Sequence, residues 1–171
     1  MSMNNTKNKL NTQDVLSMKS SGYYSARTVG AKIAIDNILP IMISALHELP
    51  KLNIIRMADF GSADGGTSQE MWGNLIKNIR EKRDHRQIEI LYTDLPSNDF
   101  STLFKTLQGM QGNSNLAFQK NFQNIFIHGC GTGFHEQLMS NNSLSLGFSA
   151  TAMHYVSEKP CEITDHVHVT G

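Results

Sequence analysis

The sequence has 171 residues with 15 basic and 15 acidic side chains, so its formal net charge is zero. Only 18% of the residues are charged, and this balance gives no electrostatic footprint for nucleic acid or an anionic membrane surface. The length suits one globular domain with its own core. No run of about 18 apolar residues is present, so we expect no membrane-spanning segment.

The chain begins with a polar stretch, MSMNNTKNKLNTQD, which lacks the apolar centre of a secretory signal. We expect residues 1–13 to be a disordered leader and residues 14–171 to form the folded domain. The two cysteines, Cys130 and Cys161, match neither a metal-ligand spacing nor a disulfide framework. A reducing, cytoplasmic location is therefore expected.

Apolar residues at helical spacing extend over residues 24–49, and Pro40 within them predicts a kink or two separate helices. Four apolar segments predict strands, at residues 54–60, 88–93, 124–128 and 144–149. Helices are expected from residue 67 to about residue 80 and from residue 99 to about residue 107. Strands that alternate with helices predict an α/β fold with a parallel sheet, which binds ligands at the carboxyl ends of its strands.

The first predicted strand ends in an acidic, glycine-rich loop, DFGSADGG. The loop has neither the lysine of a P-loop nor the G-x-G-x-x-G spacing of a dinucleotide site. Asp59 and Asp64 would repel a pyrophosphate and would suit a cationic amino group. S-adenosylmethionine (SAM) is the common cofactor that carries an ammonium and a sulfonium but no phosphate. After this loop, Thr67 or Ser68 is the candidate helix N-cap, and Glu70 is placed for a capping interaction.

The second predicted strand ends at Asp94, within IEILYTDLPSNDF. Neighbouring strand ends lie side by side, so this carboxylate could accept two hydrogen bonds from a ribose diol. The distance in sequence from Asp59 exceeds the roughly 20 residues of the dinucleotide motif. The alternative is that Asp94 only begins a turn with Pro96.

Two segments, IRMADFGSADGGTSQ and ILYTDLPSNDFSTLFKTL, resemble the signature blocks of the SABATH methyltransferases. VLSMKSSGYYS resembles the N-terminal entry of that family, and GCGTGFHEQLMSNNSLSLGFSATAMHYVSEKP resembles its third block. The family includes salicylate, jasmonate and caffeine-type enzymes, which transfer a methyl group from SAM to small carboxylates or ring nitrogens. The resemblance implies a Rossmann-like class I methyltransferase sheet with an N-terminal helical segment.

The resemblance also implies a set of site residues. It assigns cofactor binding to Lys19, Tyr24, Thr28, Asp59, Gly61, Thr67, Asp94, Leu95, Gly133 and Phe134. It places His154 and Tyr155 beside the acceptor, a small carboxylic acid, and it assigns no catalytic side chain. The glutamine and tryptophan with which plant members hold the acceptor carboxylate correspond here to Ala31 and Tyr155.

Family members are roughly twice as long as this chain, so we expect the sheet to stop after its fourth parallel strand. The resemblance leaves a homodimer open. The alternative functions are a non-catalytic cofactor-binding fragment and another nucleotide-binding module. We expect no metal site, because the cluster of Asp165, His166 and His168 is more typical of an alternating strand or a tail.

Overall fold

The computed structural model describes residues 29–50, 52–152, 155–156 and 169–170, and for the last two pairs only the backbone. The helices are α1 (Val29–Asn37), α2 (Leu39–Glu48), α3 (Gln69–Glu81), α4 (Phe100–Leu107) and α5 (Phe118–Asn121), with a 3-10 turn at Ser114–Leu116. The strands are β1 (Ile54–Phe60), β2 (Gln87–Thr93), β3 (Ile125–Cys130), β4 (Leu146–Phe148), β5 (Tyr155–Val156) and β6 (Val169–Thr170).

The first four strands form one parallel sheet in the order β3-β2-β1-β4. The chain builds β2 and β3 on one side of β1 and then returns to place β4 on the other side. The strand order therefore reverses between β1 and β4, and such a reversal opens a crevice at the carboxyl ends of the two strands. The predicted parallel α/β sheet is confirmed, and β5 and β6 form a further two-stranded sheet that was not predicted.

The predicted break in the first helical stretch is present. α1 ends at Asn37, and Pro40 lies in the first turn of α2, where its missing N–H has no helical partner to lose. By length and composition the whole run Val29–Glu48 could cross a membrane, with a mean hydropathy of 1.5, which the sequence analysis did not expect. Ile35 and Met42 lie in the core, so one side of the run packs against the domain, whereas Val29, Ile33 and Ile41 of the same run are exposed.

The core lies on one face of the sheet. Buried strand residues such as Met57 and Ile90 pack with helix residues such as Leu75 and Leu103, and burial of each such side chain contributes about 1.5–3 kcal/mol. On the opposite face, the half-exposed Arg56 and Glu89 form an ion pair of 2.7 Å. Right-handed connections from β1 to β2 to β3 place α3 and α4 on the same face, which explains the asymmetry.

Candidate functional site

A cleft opens at the carboxyl ends of β1 and β4, where the strand order reverses. β1 and its following loop contribute Asp59, Gly61, Ser62 and Ala63, and the start of α3 contributes Thr67 and Ser68. β4 and the residues after it, together with α1, complete the lining with Phe148, Ala150, Thr151, Ala31 and Ile35. The site thus lies where open α/β sheets bind their ligands.

The loop after β1 turns sharply at Gly61. Its φ of +77° lies in the left-handed region, which suits glycine. The amides of Gly61 and Ser62 both donate to the Thr93 carbonyl of β2, at 2.9 and 3.0 Å. A side chain at Gly61 would bring its Cβ to 2.5 Å from the Cβ of Ala152. The turn therefore brings bare backbone to the cleft.

We predict that Gly61→Ala destabilises the chain by about 1–3 kcal/mol, from the left-handed φ and the collision with Ala152. Chemical denaturation of both chains measures this loss. Gly112→Ala is the matched control, because its φ is +73° but no atom lies within 4 Å of the added methyl. Equal destabilisation by the two variants would contradict the role assigned to the close contact.

Asp59, near the end of β1, is a buried carboxylate with 3% exposure. Its Oδ2 accepts hydrogen bonds from Ser68 Oγ at 2.6 Å and from Trp72 Nε1 at 3.0 Å. Burial, reinforced by the negative charge of Asp94, raises the pKa of Asp59 from 3.8 to about 6, although these two hydrogen bonds oppose the rise. The group is therefore ionised at neutral pH at an energetic penalty that a cationic ligand would relieve.

Asp94 follows β2 directly and bonds to two loops. Its Oδ1 accepts from the Leu95 amide at 2.8 Å, just before the turn that the Asn98 amide closes on the Leu95 carbonyl at 2.9 Å. Its Oδ2 accepts from the Ala63 amide at 2.7 Å, across the gap between the two strand ends. Burial raises the pKa of the Asp94 carboxyl, and the two amide bonds act against that rise. Asp94 can therefore stand at the start of a turn and still have oxygens available to accept bonds from a ribose.

Negative charge lies in the cleft and beside it. Asp59 lines the cleft and Asp94 lies at the neighbouring strand end, and both are buried, with exposures of 3% and 6%. Within residues 29–50 and 52–152, no lysine, arginine or histidine forms an ion pair with Asp59 or Asp94. This charge favours a cationic ligand and disfavours a phosphate, as the loop composition predicts.

The loop after β3 brings apolar surface to the same end of the sheet. A Cβ at Gly133 would lie 3.6 Å from Leu95, so these two residues are neighbours. A Cβ at Gly61 would lie 3.8 Å from the ring of Phe134, which also stacks at a tilt on His135. Leu95, Gly133 and Phe134 therefore gather beside the acidic cleft.

For five of the predicted site residues, the structure does not describe the side chain. Lys19, Tyr24, Thr28 and His154 lie outside the described residues, and only the backbone of Tyr155 is described, at the start of β5. Their roles stay predictions. Asp165, His166 and His168 also lie outside, and the part of the chain that is described holds no group of three or more metal-ligating side chains.

The predicted N-cap of α3 is confirmed at Ser68, but the expected capping interactions are absent. Ser68 does occupy the N-cap position, but its side chain makes no capping bond and instead donates to Asp59. Glu70 does not close a capping box, because its carboxylate pairs with Lys32 of α1 at 2.8 Å. The Ser68 hydroxyl thus bonds to the buried Asp59 carboxylate and not to a backbone amide at the start of α3.

Two cleft features were missed. The apolar helical position of Trp72 indicates packing and does not show that its N–H reaches Asp59. Thr151 lines the cleft with a φ of +57°, which is unusual for a β-branched residue and is found mostly at functional sites. No residue pattern signals that backbone conformation. Ser68 could have been found, since a hydroxyl one turn from Trp72 on α3 faces the strand that carries Asp59.

The chain is similar in sequence to known methyltransferases. A family model described as SAM dependent carboxyl methyltransferase matches residues 18–170. The chain is 30% identical over 166 residues to a probable 7-methylxanthine methyltransferase 5 of Theobroma cacao, covering 86% of this chain and 43% of that protein. It is 29% identical over 151 residues to a farnesoic acid carboxyl-O-methyltransferase of Arabidopsis thaliana, covering 85% of this chain and 39% of that protein.

The fold also matches a solved structure, that of a loganic acid methyltransferase with S-adenosylhomocysteine (SAH). The TM-score is 0.63 at 19% identity, over 83% of this chain and 41% of the other. The chain thus spans about two-fifths of the length of the relatives it matches. Because the family model covers most of the sequence, the chain belongs to the SAM-dependent carboxyl methyltransferases, the SABATH family that its motifs resemble.

Proposed function

We propose that this chain binds SAM in the cleft and transfers its methyl group to the carboxylate of a small organic acid. One observation carries the proposal: two buried carboxylates, Asp59 and Asp94, lie at neighbouring strand ends without a cationic partner in the described ranges. The names of two relatives, which refer to farnesoic acid and loganic acid, support a carboxylic acid as acceptor.

The residues of the cleft fit this cofactor. Asp59 suits the ammonium group of the methionine part, since a cation offsets the penalty of the buried charge. Each oxygen of Asp94 accepts one amide N–H and can accept a further bond from a ribose hydroxyl. Leu95 and Phe134 offer apolar surface for adenine beside the turn at Gly61.

The chemistry needs little from ionisable groups of the protein. Bound SAM supplies an electrophilic methyl group. A carboxylate acceptor is ionised near pH 7, so the chain needs no general base. Its task is to align the reacting atoms at about 3–3.5 Å and to exclude water. Ala31 and Ile35 of α1 place an apolar wall on one side of the cleft for that purpose.

We assign acceptor binding to His154 and Tyr155, as the family resemblance implies. A tyrosine hydroxyl can donate one hydrogen bond to a carboxylate. Ala31 lines the cleft at the position of the plant glutamine, and it has no donor to offer. The acceptor contacts of this chain therefore differ from those of the plant enzymes.

A ligand panel tests the proposal. We expect SAH to raise the melting temperature of the chain, while NAD and ATP do not, because Asp59 and Asp94 repel pyrophosphate. Calorimetric titration gives the affinity, and transfer of a labelled methyl group to a panel of small acids gives the activity. Stabilisation by ATP or NAD in place of SAH would contradict the proposal. Binding of SAH without methyl transfer to any acid would favour the non-catalytic alternative.

We further propose a cytoplasmic location and a homodimer. The location rests on the two cysteines, whose spacing matches no disulfide framework, and the dimer rests on the family resemblance alone. Sedimentation equilibrium of the purified chain would show the mass of a dimer, and a monomer at all concentrations would contradict it.

A further inference from the structure

Trp72 lies in the interior of the domain, yet its one polar atom reaches a cleft residue. The side chain is fully buried, at 0% exposure, and its indole N–H donates to Asp59 Oδ2 at 3.0 Å. Ser68, one helical turn earlier on α3, donates to the same oxygen at 2.6 Å. Two neutral donors on one face of α3 thus bond to a single oxygen of a buried carboxylate.

The indole ring is itself held in place. It packs edge-on against Phe148, with ring centroids 6.0 Å apart and planes at 84°. Phe148 belongs to β4 and is the residue that pairs with Asp59 of β1 in the sheet. The Trp72 amide also bonds to the Ser68 carbonyl at 3.0 Å. The direction of the N–H is therefore fixed by α3 and by the same two strands that form the cleft.

The arrangement leaves the two oxygens of Asp59 unequal. In the part of the chain that is described, Oδ1 accepts no hydrogen bond, whereas Oδ2 accepts two. Both donors favour the ionised form and so lower the pKa of Asp59, against burial and Asp94, which raise it. Tyr92, the other titratable neighbour, is fully buried and its raised pKa keeps it neutral. The ionised carboxylate thus depends on Ser68 and Trp72.

We propose that Trp72 is a positioning residue for ligand binding: with Ser68, its indole N–H holds Asp59 Oδ2 and leaves Oδ1 to receive the ammonium group of the ligand. The identity of that ligand rests on the function proposed above. The role is distinct from core packing, since it depends on one N–H group and not on the volume of the ring.

Trp72→Phe tests this role, because phenylalanine keeps an aromatic ring and removes the donor. In titrations of the full chain with SAH from pH 5 to pH 8.5, we expect about tenfold weaker affinity at pH 7. We also expect the pH at which affinity is half lost to rise by about one unit. Ser68→Ala should shift this midpoint in the same direction. If the midpoint is unchanged in both variants, the positioning role is overturned.

A second measurement needs no ligand. Trp72 is the only tryptophan in the sequence, so the intrinsic emission of the chain reports on this site. We expect the emission to change near pH 6 in the wild-type chain and not in Asp59→Asn. A wild-type chain without this transition would overturn the positioning role even if it bound SAH. A chain that showed the transition but bound no SAH would support the role and contradict the proposed function.

Discussion

Replacement of Asp94 by alanine is expected to reduce the affinity for SAH by at least about 100-fold. The change removes the acceptor that we propose for two ribose hydroxyls, and each hydrogen bond to a charged group contributes about 1.5–3 kcal/mol. It also frees the Ala63 amide, which Asp94 Oδ2 holds at 2.7 Å, so the loop that follows β1 loses one of its bonds to the end of β2 and keeps those from Gly61 and Ser62 to the Thr93 carbonyl. Calorimetric titration with SAH measures the loss.

Asp99→Ala is the matched control for this experiment. Asp99 is a carboxylate five residues later that caps α4, with bonds to the Thr102 amide at 3.0 Å and hydroxyl at 2.7 Å. Its loss removes the cap of α4 and should leave SAH affinity unchanged. Wild-type affinity in Asp94→Ala, or equal losses in both variants, would contradict the assignment of the ribose contact to Asp94.

Asp59→Asn is expected to separate stability from binding. A pKa raised from 3.8 to about 6 means that ionisation of Asp59 costs about 3 kcal/mol of folding free energy at neutral pH. Asparagine has similar shape and no charge, and its oxygen can still accept from Ser68 and Trp72. The variant should therefore be more stable than the wild type by about 1–3 kcal/mol at pH 7.5 and should lose SAH affinity by at least about 100-fold.

The pH dependence gives the sign of this effect. The wild-type carboxyl is protonated in the folded chain below about pH 6 and in the unfolded chain only below about pH 4, so the penalty appears as pH rises between these values. The stability difference between Asp59→Asn and wild type should accordingly vanish near pH 4 and reach its full size above pH 7. Denaturation curves across this range provide the measurement. A variant that is less stable than wild type at pH 7.5 would contradict the buried charge.

The strands that carry the site could be predicted from sequence, because continuous apolar runs bounded by turns specify buried parallel strands. The predicted bounds of β1 are those observed, and β2 begins one residue earlier than predicted. β4 is shorter than predicted, at three residues, although the Ser145 amide still donates to the Arg56 carbonyl of β1; Leu144, before it, is exposed. Short segments without periodicity, such as α5, gave no signal.

The acidic strand ends could also be predicted, whereas the groups that orient them could not. Residue type and position are enough to place Asp59 and Asp94 at the ends of adjacent strands. Periodicity assigns Trp72 to the buried face of α3 but does not show that its N–H reaches a carboxylate. Likewise, the preference of serine for helix starts predicts Ser68 as the N-cap. Its hydrogen bond to Asp59 could not be predicted, because Asp59 lies on β1 and outside the helix pattern.

The polar groups at the proposed ammonium and ribose positions all come from one β1–α3–β2 unit, residues 54–95, whereas the proposed acceptor residues follow much later in the chain. The contacts proposed for these two groups of the methyl donor therefore form a contiguous module, whereas the surface proposed for adenine adds Phe134 from the loop after β3. Acceptor preference can diverge in evolution, or be redesigned, through changes elsewhere in the chain that leave this module intact.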